Sequence, residues 1–505
     1  MNLKFCKSTI LLFLLLFPFL GSAQIKLAKI FSNNMVLQQN EPIRFWGKGL
    51  PGESLSIEFA NKKQTIKVNS DSTWLAIFKS QKYNTKAQSL ILESEKEKIE
   101  LKNILIGDIW LCIGQSNMEW PMSKEMHYKS EIKESNQANI RFFNPTYAGK
   151  NTYNIPFSDS IIKKLNPNDF YQGEWESCDL NTFKAMSAVA YYFGKKVSNE
   201  TGIPIGLINI SIGGAPLETF ISLKSLKTSA AFADKAAGDW LKNSSLPVWA
   251  RERGRQNTTG KENIQEDENG RNHPFKTGFA YKSGIEPILN MPIKGVLCYQ
   301  GESNAQEIER VNEYAALSAL MISDYRNQWG NPKMPFYFVQ LSSIDTVQYK
   351  GQLWPNFRDE QRKMLQLIPN SGMAVTSDIG FRNDVHPTNK KDVGARLAQW
   401  ALAKTYRQNI IHAGPLARNA KYKSGNLIVK FKNMSAFLST SDDKSLRGFS
   451  IDGKNDVPAS IRNKRVIIPL TEKPETIYYG WKSFTDANLI NSEKLPASTF
   501  KLEVE

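Results

Sequence analysis

Cysteine and histidine are both scarce in this sequence, with 4 residues of each among 505. One cysteine, Cys6, lies in an N-terminal segment that we expect to be removed, which leaves Cys112, Cys178 and Cys298. Three cysteines allow at most one disulfide, which argues against a fold held together by cross-links. Cys112 and Cys298 lie in apolar strand patterns, where we expect small buried thiols rather than nucleophiles or metal ligands. We expect no metal and no other cofactor.

The sequence also lacks a long basic run and, after residue 23, a long apolar segment. Its net charge is +16, but lysine and arginine are spread along the chain without a nucleic-acid-binding motif. We therefore expect a solvated basic surface and no nucleic-acid partner, with at most a mild preference for an acidic sugar. Because no later segment is apolar enough for a transmembrane helix, we expect no membrane span.

Residues 1–23 have the pattern of a signal peptide. Lys4 and Lys7 precede an apolar stretch from Ile10 to Leu20, and small residues follow at positions 21–23. The apolar stretch of about a dozen residues is too short to span a bilayer. The pattern predicts an exported protein, periplasmic or secreted, that is cleaved after Ala23.

The remaining chain predicts three regions around an α/β fold. Short alternating strands over residues 24–103 indicate an antiparallel β-sandwich. Residues 104–413 alternate apolar strands with amphipathic helices, which predicts a three-layer α/β domain with a mainly parallel sheet. Residues 224–281 within it are polar and poorly periodic, so we expect a lid-like insertion. Residues 414–505 predict a second β-rich region, and the sequence leaves open whether both β-rich regions form one platform.

The first candidate reactive group lies in Gly107 to Met122, which reads GDIWLCIGQSNMEWPM. Its apolar run ends at a glycine and delivers Ser116 at the carboxyl end of a strand, where open parallel sheets carry their sites. A serine is a nucleophile only if a base takes its proton. Taken alone, the motif is equally compatible with an ordinary helix N-cap.

His386 is the candidate base, because imidazole has a pKa near the usual working pH. It lies in a turn-like motif before an amphipathic helix, which none of the other histidines does; those are His127, His273 and His412. Two carboxylates compete to orient it. Asp384 is two residues away, and Glu302 lies in QGESN at the end of another strand. Both remain open, with a slight preference for Asp384.

Several groups could stabilise an oxyanion. The backbone N–H of Ser116 is one donor if the serine opens a helix. Gly213 and Gly214 follow another strand, where paired glycines permit close backbone approach. The side-chain amides that complete the set of oxyanion and substrate candidates are those of Gln115, Asn117, Gln300 and Asn304.

Four stretches of the chain resemble the sialate O-acetylesterase family within the SGNH hydrolases. They are GDIWLCIGQSNMEWPM, NISIGGAPLETF (209–220), CYQGESNA (298–305) and NDVHPTNK (383–390). IFSNNMVLQQNEPIRFWG (30–47) and LPASTFKLE (495–503) extend the resemblance over essentially the whole chain after residue 23.

The resemblance implies a flavodoxin-like SGNH hydrolase domain flanked by β-rich segments. It also implies a metal-free serine esterase that removes O-acetyl groups from sugars, with Ser116 as nucleophile and His386 as base. In such relatives the Gln-Gly-Glu stretch lines the site, which adds weight to Gln300 and Glu302. Arg358, in FRDEQ, resembles a family arginine that helps to position substrate.

The sequence departs from the family pattern at Cys298, where an aromatic residue is common, and over residues 277–289. Many SGNH enzymes carry the acid three residues before the histidine, but Asn383 stands there, so the acid must be Asp384, Glu302 or both. The leading hypothesis is an O-acetylesterase acting on an acetylated sugar, most simply sialate. The alternatives are an esterase for acetylated xylan or another glycan, and a carbohydrate-binding protein without activity.

Overall fold

The computed structural model describes residues 25–345 and 351–505. The predicted signal peptide, residues 1–23, lies outside the described residues. Within the described ranges, no helix combines the length and the apolar character that crossing a bilayer requires.

The N-terminal region consists of two sheets that pack against each other through aromatic rings. The strands are β1 (Lys26–Leu27), β2 (Val36–Gln38), β3 (Ile43–Lys48), β4 (Ser54–Phe59), β5 (Lys62–Lys67), β6 (Thr73–Phe78), β7 (Asn84–Glu93) and β8 (Lys98–Gly114). One sheet has the order β1-β3-β6, and the other joins β5, β4, β7, β8 and β2. The rings of Phe45 and Phe59, one from each sheet, lie 5.2 Å apart. The strands therefore lie where the alternating pattern predicts them.

Strand β8 joins this region to the central sheet. Its first half pairs with β7 and β2, and its second half places Cys112 opposite Asn209 on one side and Leu297 on the other. The predicted boundary between residues 103 and 104 falls inside this strand. Hydrogen bonding therefore continues from the N-terminal sheet into the sheet that carries Ser116, while the division into domains stays a prediction.

The central sheet is mainly parallel, and the α/β class is confirmed. Its remaining strands are β9 (Gln137–Phe143), β12 (Trp175–Cys178), β13 (Ile205–Asn209), β16 (Gly295–Tyr299), β17 (Phe336–Val339) and β18 (Ser371–Ala374). The order is β12-β9-β13-β8-β16-β17-β18, with only β12 antiparallel to its neighbour in this series. After β8 the chain adds strands on one side and then crosses to the other. The carboxyl end of β8 therefore lies at the switch point where such sheets bind ligands.

Helices cover this sheet. They are α1 (Ser116–Glu119), α2 (Tyr128–Glu131), α3 (Asp159–Ile162), α4 (Ala188–Thr201), α5 (Leu223–Thr228), α6 (Val248–Thr258), α7 (Ile308–Gln328), α8 (Trp354–Leu367) and α9 (Lys390–Trp400). Ser187 caps α4 by accepting from the N–H of Ala190, and Gly202 ends it with φ of 72°. Helix α9 approaches α4 closely at Gly394, which has no side chain. A Cβ at this position would clash, because it would lie 2.7 Å from the Val189 carbonyl oxygen.

Short helical turns and two-residue strands fill the connections. The 3₁₀ turns are Met122–Lys124, Ile132–Glu134, Phe183–Ala185, Leu217–Phe220, Ala233–Ala236 and Glu286–Ile288, and the π-helical turns are Tyr281–Ile285 and Ala401–Thr405. The short strands form two antiparallel pairs, β10 (Thr146–Tyr147) with β11 (Tyr171–Gln172) and β14 (Glu266–Asp267) with β15 (Gly270–Arg271).

The segment 224–281 is folded, although its sequence is polar and poorly periodic. It contains most of α5, all of α6 and the β14–β15 hairpin. Trp240 and Phe275 are buried in the main core. Its apolar side chains come from short elements, so no long period appears in the sequence. Its role as a lid stays a prediction.

The C-terminal region is built from short antiparallel strands. They are β19 (Leu416–Lys423), β20 (Asn426–Lys432), β21 (Leu438–Thr440), β22 (Phe449–Ser450), β23 (Ser460–Arg462), β24 (Arg465–Pro469), β25 (Thr476–Tyr479), β26 (Leu489–Asn491) and β27 (Phe500–Glu503). Their buried side chains form a core of their own, whereas the N-terminal region shares the core of the central sheet. The two β-rich regions are therefore not packed around one common core.

Gly114, the last residue of β8, tests how tightly the serine turn is packed. We expect Gly114→Ala to lower the free energy of unfolding by roughly 3 kcal/mol or more, because its φ is +135° and a Cβ would lie 2.0 Å from the Tyr299 carbonyl oxygen. Gly202→Ala is the control, since φ there is +72° but no atom lies within 4 Å, and about 1 to 2 kcal/mol should be lost. Equal losses in chemical denaturation would contradict the packing argument.

Candidate active site

Ser116 is the first residue of α1 and follows β8 directly. The turn that exposes it is held by the N–H of Gln115, which donates to the Tyr299 carbonyl at the end of the neighbouring strand (3.0 Å). The serine side chain is consequently fixed, half-buried, at the carboxyl edge of the sheet.

His386 reaches this serine from the loop between β18 and α9. Its Nε2 lies 2.8 Å from Ser116 Oγ, and its Nδ1 lies 3.0 Å from Asp384 Oδ1. Because a carboxylate can only accept, Nδ1 carries the proton and Nε2 accepts from the serine hydroxyl. The same Asp384 oxygen accepts from the backbone N–H of His386 (2.8 Å), which fixes the turn. The indole of Trp120 stacks on the imidazole, with ring centroids 5.2 Å apart.

The surroundings of His386 favour a neutral imidazole. Burial lowers its pKa from the ordinary value, and Asp384 opposes this effect. The cations of Lys390 and Lys124 lower the pKa further. A neutral imidazole at moderate pH is the form that can accept a proton from serine.

The structure separates the two carboxylates that compete to orient the histidine. Asp384 contacts the imidazole, whereas Glu302 is 3% exposed and accepts from the side-chain amide of Asn117. Among the described contacts, none joins Glu302 to His386. Of the two alternatives that the sequence left open, the contacts favour Asp384, the slightly preferred one, as the group that orients the imidazole.

Asn117 connects the serine turn to the histidine loop. Its Nδ2 donates to Glu302 Oε1 (2.5 Å) and to the Val385 carbonyl (2.9 Å), and its Oδ1 accepts from Lys390 Nζ (2.5 Å). Since both amide hydrogens are used, the prediction that Asn117 contacts an oxyanion or substrate is corrected. It holds in place the loop that carries His386.

Lys390 and Trp120 were missed by sequence reasoning. Lys390 is fully buried, and its cation lies over the rings of Trp120 (5.5 Å) and Tyr299 (5.3 Å). Burial lowers its pKa to about 7, and burial raises the pKa of Glu302 to about 7. Both residues lie inside the motifs that carry Ser116 and His386. Their position in these motifs is the sequence feature by which they could have been identified.

The amides of Gln300 and Asn304 also face inward. Both side chains are 1% exposed. Gln300 Nε2 donates to Asn304 Oδ1 (2.8 Å) and to the Ala215 carbonyl (3.3 Å), and Asn304 Nδ2 donates to Glu218 Oε2 (2.9 Å). These bonds brace the ends of β13 and β16, and they use both amide hydrogens of Gln300 but only one of Asn304, so the oxyanion role of these amides stays a prediction.

Gln115 has a mixed position. Its Oε1 accepts weakly from the backbone N–H groups of Gly301 (3.5 Å) and Ser303 (3.3 Å). Its Nε2 has no hydrogen-bond partner within the described part of the chain. Gln115 therefore braces the site through its oxygen and keeps its amide hydrogens for a ligand.

The two glycines after β13 differ in their backbone bonds. The N–H of Gly213 donates to the Tyr147 hydroxyl (3.0 Å), so it is not free for an oxyanion. Gly214 has φ of 77°, and its carbonyl accepts from Ser303 Oγ (2.8 Å). Over residues 25–345 and 351–505, neither the N–H of Gly214 nor that of Ser116 has a partner. These two N–H groups are the best backbone candidates for an oxyanion site.

Arg358 lies away from the serine. It is 0% exposed, and its guanidinium donates to Ser343 Oγ (3.3 Å) and to the Gly480 carbonyl (3.0 Å). The expectation that it positions substrate is corrected, because it instead attaches α8 to the C-terminal region.

Comparisons with known proteins show which sequences and folds this chain is similar to. A family model described as carbohydrate esterase, sialic acid-specific acetylesterase, matches residues 262–403. Human sialate O-acetylesterase is 28% identical over 424 residues, which cover 77% of this chain and 73% of that protein. The mouse sialate O-acetylesterase is 27% identical over 433 residues, which cover 79% and 77%.

A solved structure extends the likeness to the whole fold. The crystal structure of a carbohydrate acetylesterase from Xanthomonas citri matches with a TM-score of 0.77 at 27% identity, covering 95% of this chain and 100% of that one. The chain is similar to the sialic acid-specific acetylesterase family in sequence and to a carbohydrate acetylesterase in its whole fold. The resemblance seen in the motifs is thereby confirmed, and the protein is a carbohydrate esterase whose substrates are acetylated sugars.

The two carboxylates of this esterase can be distinguished by paired substitutions. We expect Asp384→Asn to lower kcat by roughly 10² to 10⁴, because a neutral amide does not stabilise the imidazolium and its NH2 group can donate to Nδ1, which favours the wrong tautomer. Glu302→Gln should cost much less, since the new amide oxygen can still accept from Asn117. Steady-state hydrolysis of p-nitrophenyl acetate measures both. A larger loss for Glu302→Gln would reverse the assignment.

The pH dependence of the esterase should reflect the lowered pKa of His386. Its base is neutral above that pKa and protonated below it, so activity should fall as pH decreases through a value under the ordinary histidine pKa of about 6.5. The acid limb of kcat/KM for p-nitrophenyl acetate measures this value. An inflection above the ordinary histidine pKa would contradict the prediction.

Proposed function

We propose that this protein is a serine esterase that removes O-acetyl groups from sialic acid through an acyl-enzyme on Ser116. The observation that carries the proposal is the 2.8 Å contact between Ser116 Oγ and His386 Nε2, with Asp384 on the other ring nitrogen. A hydroxyl, a base and an orienting acid in this series form the arrangement that serine hydrolases use.

In the first half of the reaction, His386 takes the proton of Ser116 as Oγ attacks the acetyl carbonyl. Asp384 holds the imidazole and stabilises its charged form. Negative charge develops on the carbonyl oxygen, and the N–H groups of Ser116 and Gly214 are proposed to bind it. The sugar hydroxyl then leaves with the proton from His386, and the acetyl group remains on the serine.

In the second half, His386 takes a proton from water, which attacks the acetyl-serine carbonyl. Collapse of this intermediate releases acetate and returns the proton to Ser116 Oγ. Throughout, the bonds of Asn117 to Val385 and Lys390 hold the histidine loop against the serine turn.

The family and the relatives support sialate as the sugar. Two of the relatives are named sialate O-acetylesterase, and the family model is described as sialic acid-specific. Export to the periplasm or outside the cell belongs to the same proposal. It rests on the signal-peptide pattern of residues 1–23 alone.

The nucleophile is tested with Ser116→Ala. We expect turnover of p-nitrophenyl acetate to fall by about 10⁴-fold or more, because the three groups act as a unit. A fluorophosphonate should add one adduct to the unmodified protein, located at Ser116 by mass spectrometry, and none to the variant. Near-native turnover by Ser116→Ala would refute the mechanism.

The substrate is tested by comparing acetate release from O-acetylated N-acetylneuraminic acid and from acetylated xylan. We expect the sialic acid ester to give the higher kcat/KM. A preference for acetylated xylan would keep the mechanism and replace the substrate. Sugar binding without acetate release or serine labelling would indicate a binding protein instead.

A further inference from the structure

A recess adjoins the serine turn at the end of β13. It has a volume of about 10 Å³, enough for a group the size of one water molecule, and its lining includes Tyr147, Tyr153, Ile212, Gly213, Arg253 and Phe275. A Cβ on Gly213 would lie 3.2 Å from Glu119 Oε2, and Glu119 is one helical turn from Ser116. The recess therefore lies beside α1, the helix that begins at Ser116.

Arg253 enters the recess from α6 with most of its donors unused. It is 7% exposed, and its guanidinium lies over the rings of Trp249 (4.8 Å) and Tyr153 (5.4 Å). Its single hydrogen bond to the described residues is from Nη1 to Asn154 Oδ1 (2.6 Å), and its Nε is buried without a partner. No carboxylate of the described residues lies within ion-pairing distance. A buried cation in this state is costly unless a ligand pairs with it.

Other buried arginines do not share this state. Arg141, Arg310 and Arg358 also have an unpartnered Nε. However, Arg310 pairs with Glu313 (3.2 Å), and Arg358 and Arg141 each donate to backbone carbonyls. None of these three lines the recess. An unpaired guanidinium beside the serine is thus particular to Arg253.

The one carboxylate near the recess is already neutralised. Glu119 Oε1 pairs with Lys150 Nζ (2.8 Å), and Glu119 Oε2 accepts from the Tyr147 hydroxyl (3.2 Å). His273, which also borders the recess, is neutral because burial lowers its pKa to about 3. The net charge around the recess is therefore positive, which suits an anionic group.

We propose that Arg253 binds the carboxylate of an acidic sugar and so selects acidic O-acetylated substrates. The inference rests on the proposed esterase function and adds a specificity residue to it. The recess is far too small for a sugar ring, since pockets for entire small ligands are roughly 300 to 1,000 Å³, so only a carboxylate oxygen would enter it. Arginine suits this role because its planar fork can bind a carboxylate through two parallel hydrogen bonds.

The experiment compares O-acetylated N-acetylneuraminic acid with its carboxamide, in which the carboxylate is neutral, and uses an O-acetylated hexuronic acid with its carboxamide as a second pair. The unmodified enzyme should prefer each acid by about 10- to 100-fold in kcat/KM, mainly through KM. Arg253→Gln should remove this preference, and Arg253→Lys should restore part of it. Arg255→Gln is the matched control, because it removes the same charge from an exposed position of α6.

The outcomes separate this inference from the proposed function. Equal rates for acid and carboxamide with the unmodified enzyme, or an acid preference that persists in Arg253→Gln, would overturn the role of Arg253 while the esterase stands. A preference for the acid only in the hexuronic pair would uphold Arg253 and reject sialate. If Arg253→Gln fails to fold, as judged by its melting temperature and serine labelling, Arg253→Lys takes its place: it should weaken the acid preference, and an undiminished preference would overturn the role of Arg253.

Discussion

The hydrogen bond between Ser116 and His386 is the contact on which the site depends, and it joins residues 270 positions apart. Neither side chain can hold the other in place, since both lie on short turns. The serine turn is fixed by the bond from Gln115 to Tyr299, and the histidine turn is fixed by Asp384 and by Asn117. The geometry of the reacting groups is thus a consequence of bonds made by neighbours that do not themselves react.

The long strand β8 connects the serine turn to the N-terminal sheet. Its first half is part of the N-terminal sheet, and its second half is the centre of the parallel sheet that ends at Ser116. One continuous strand gives the serine turn a rigid base, because both halves are paired on both sides. The N-terminal region therefore contributes to the site by supporting its central strand, although it contains no reacting group.

A buried polar cluster lies beneath the reacting groups. Lys390 and Glu302 meet through Asn117, and burial brings the pKa of each to about 7. The cost of burying such groups is offset only when their hydrogen bonds are made. In return, the cluster joins the ends of β8 and β16 to the start of α9, so that three separate segments move as one unit. Positive charge from Lys390 also keeps the imidazole neutral.

The sequence alone determined the α/β class, the approximate positions of the main strands and helices, and the pair Ser116 and His386. These features follow from the spacing of apolar residues and from motifs of a few neighbouring residues. Both signals are local properties of the sequence. The tertiary structure decided that Asp384 rather than Glu302 contacts the imidazole, that Asn117, Gln300 and Asn304 brace the site, and that Arg358 is turned away from it. It also placed Arg253 beside the serine turn. Polar side chains near a strand end look alike in sequence, and only the packing of distant segments fixes which donor meets which acceptor.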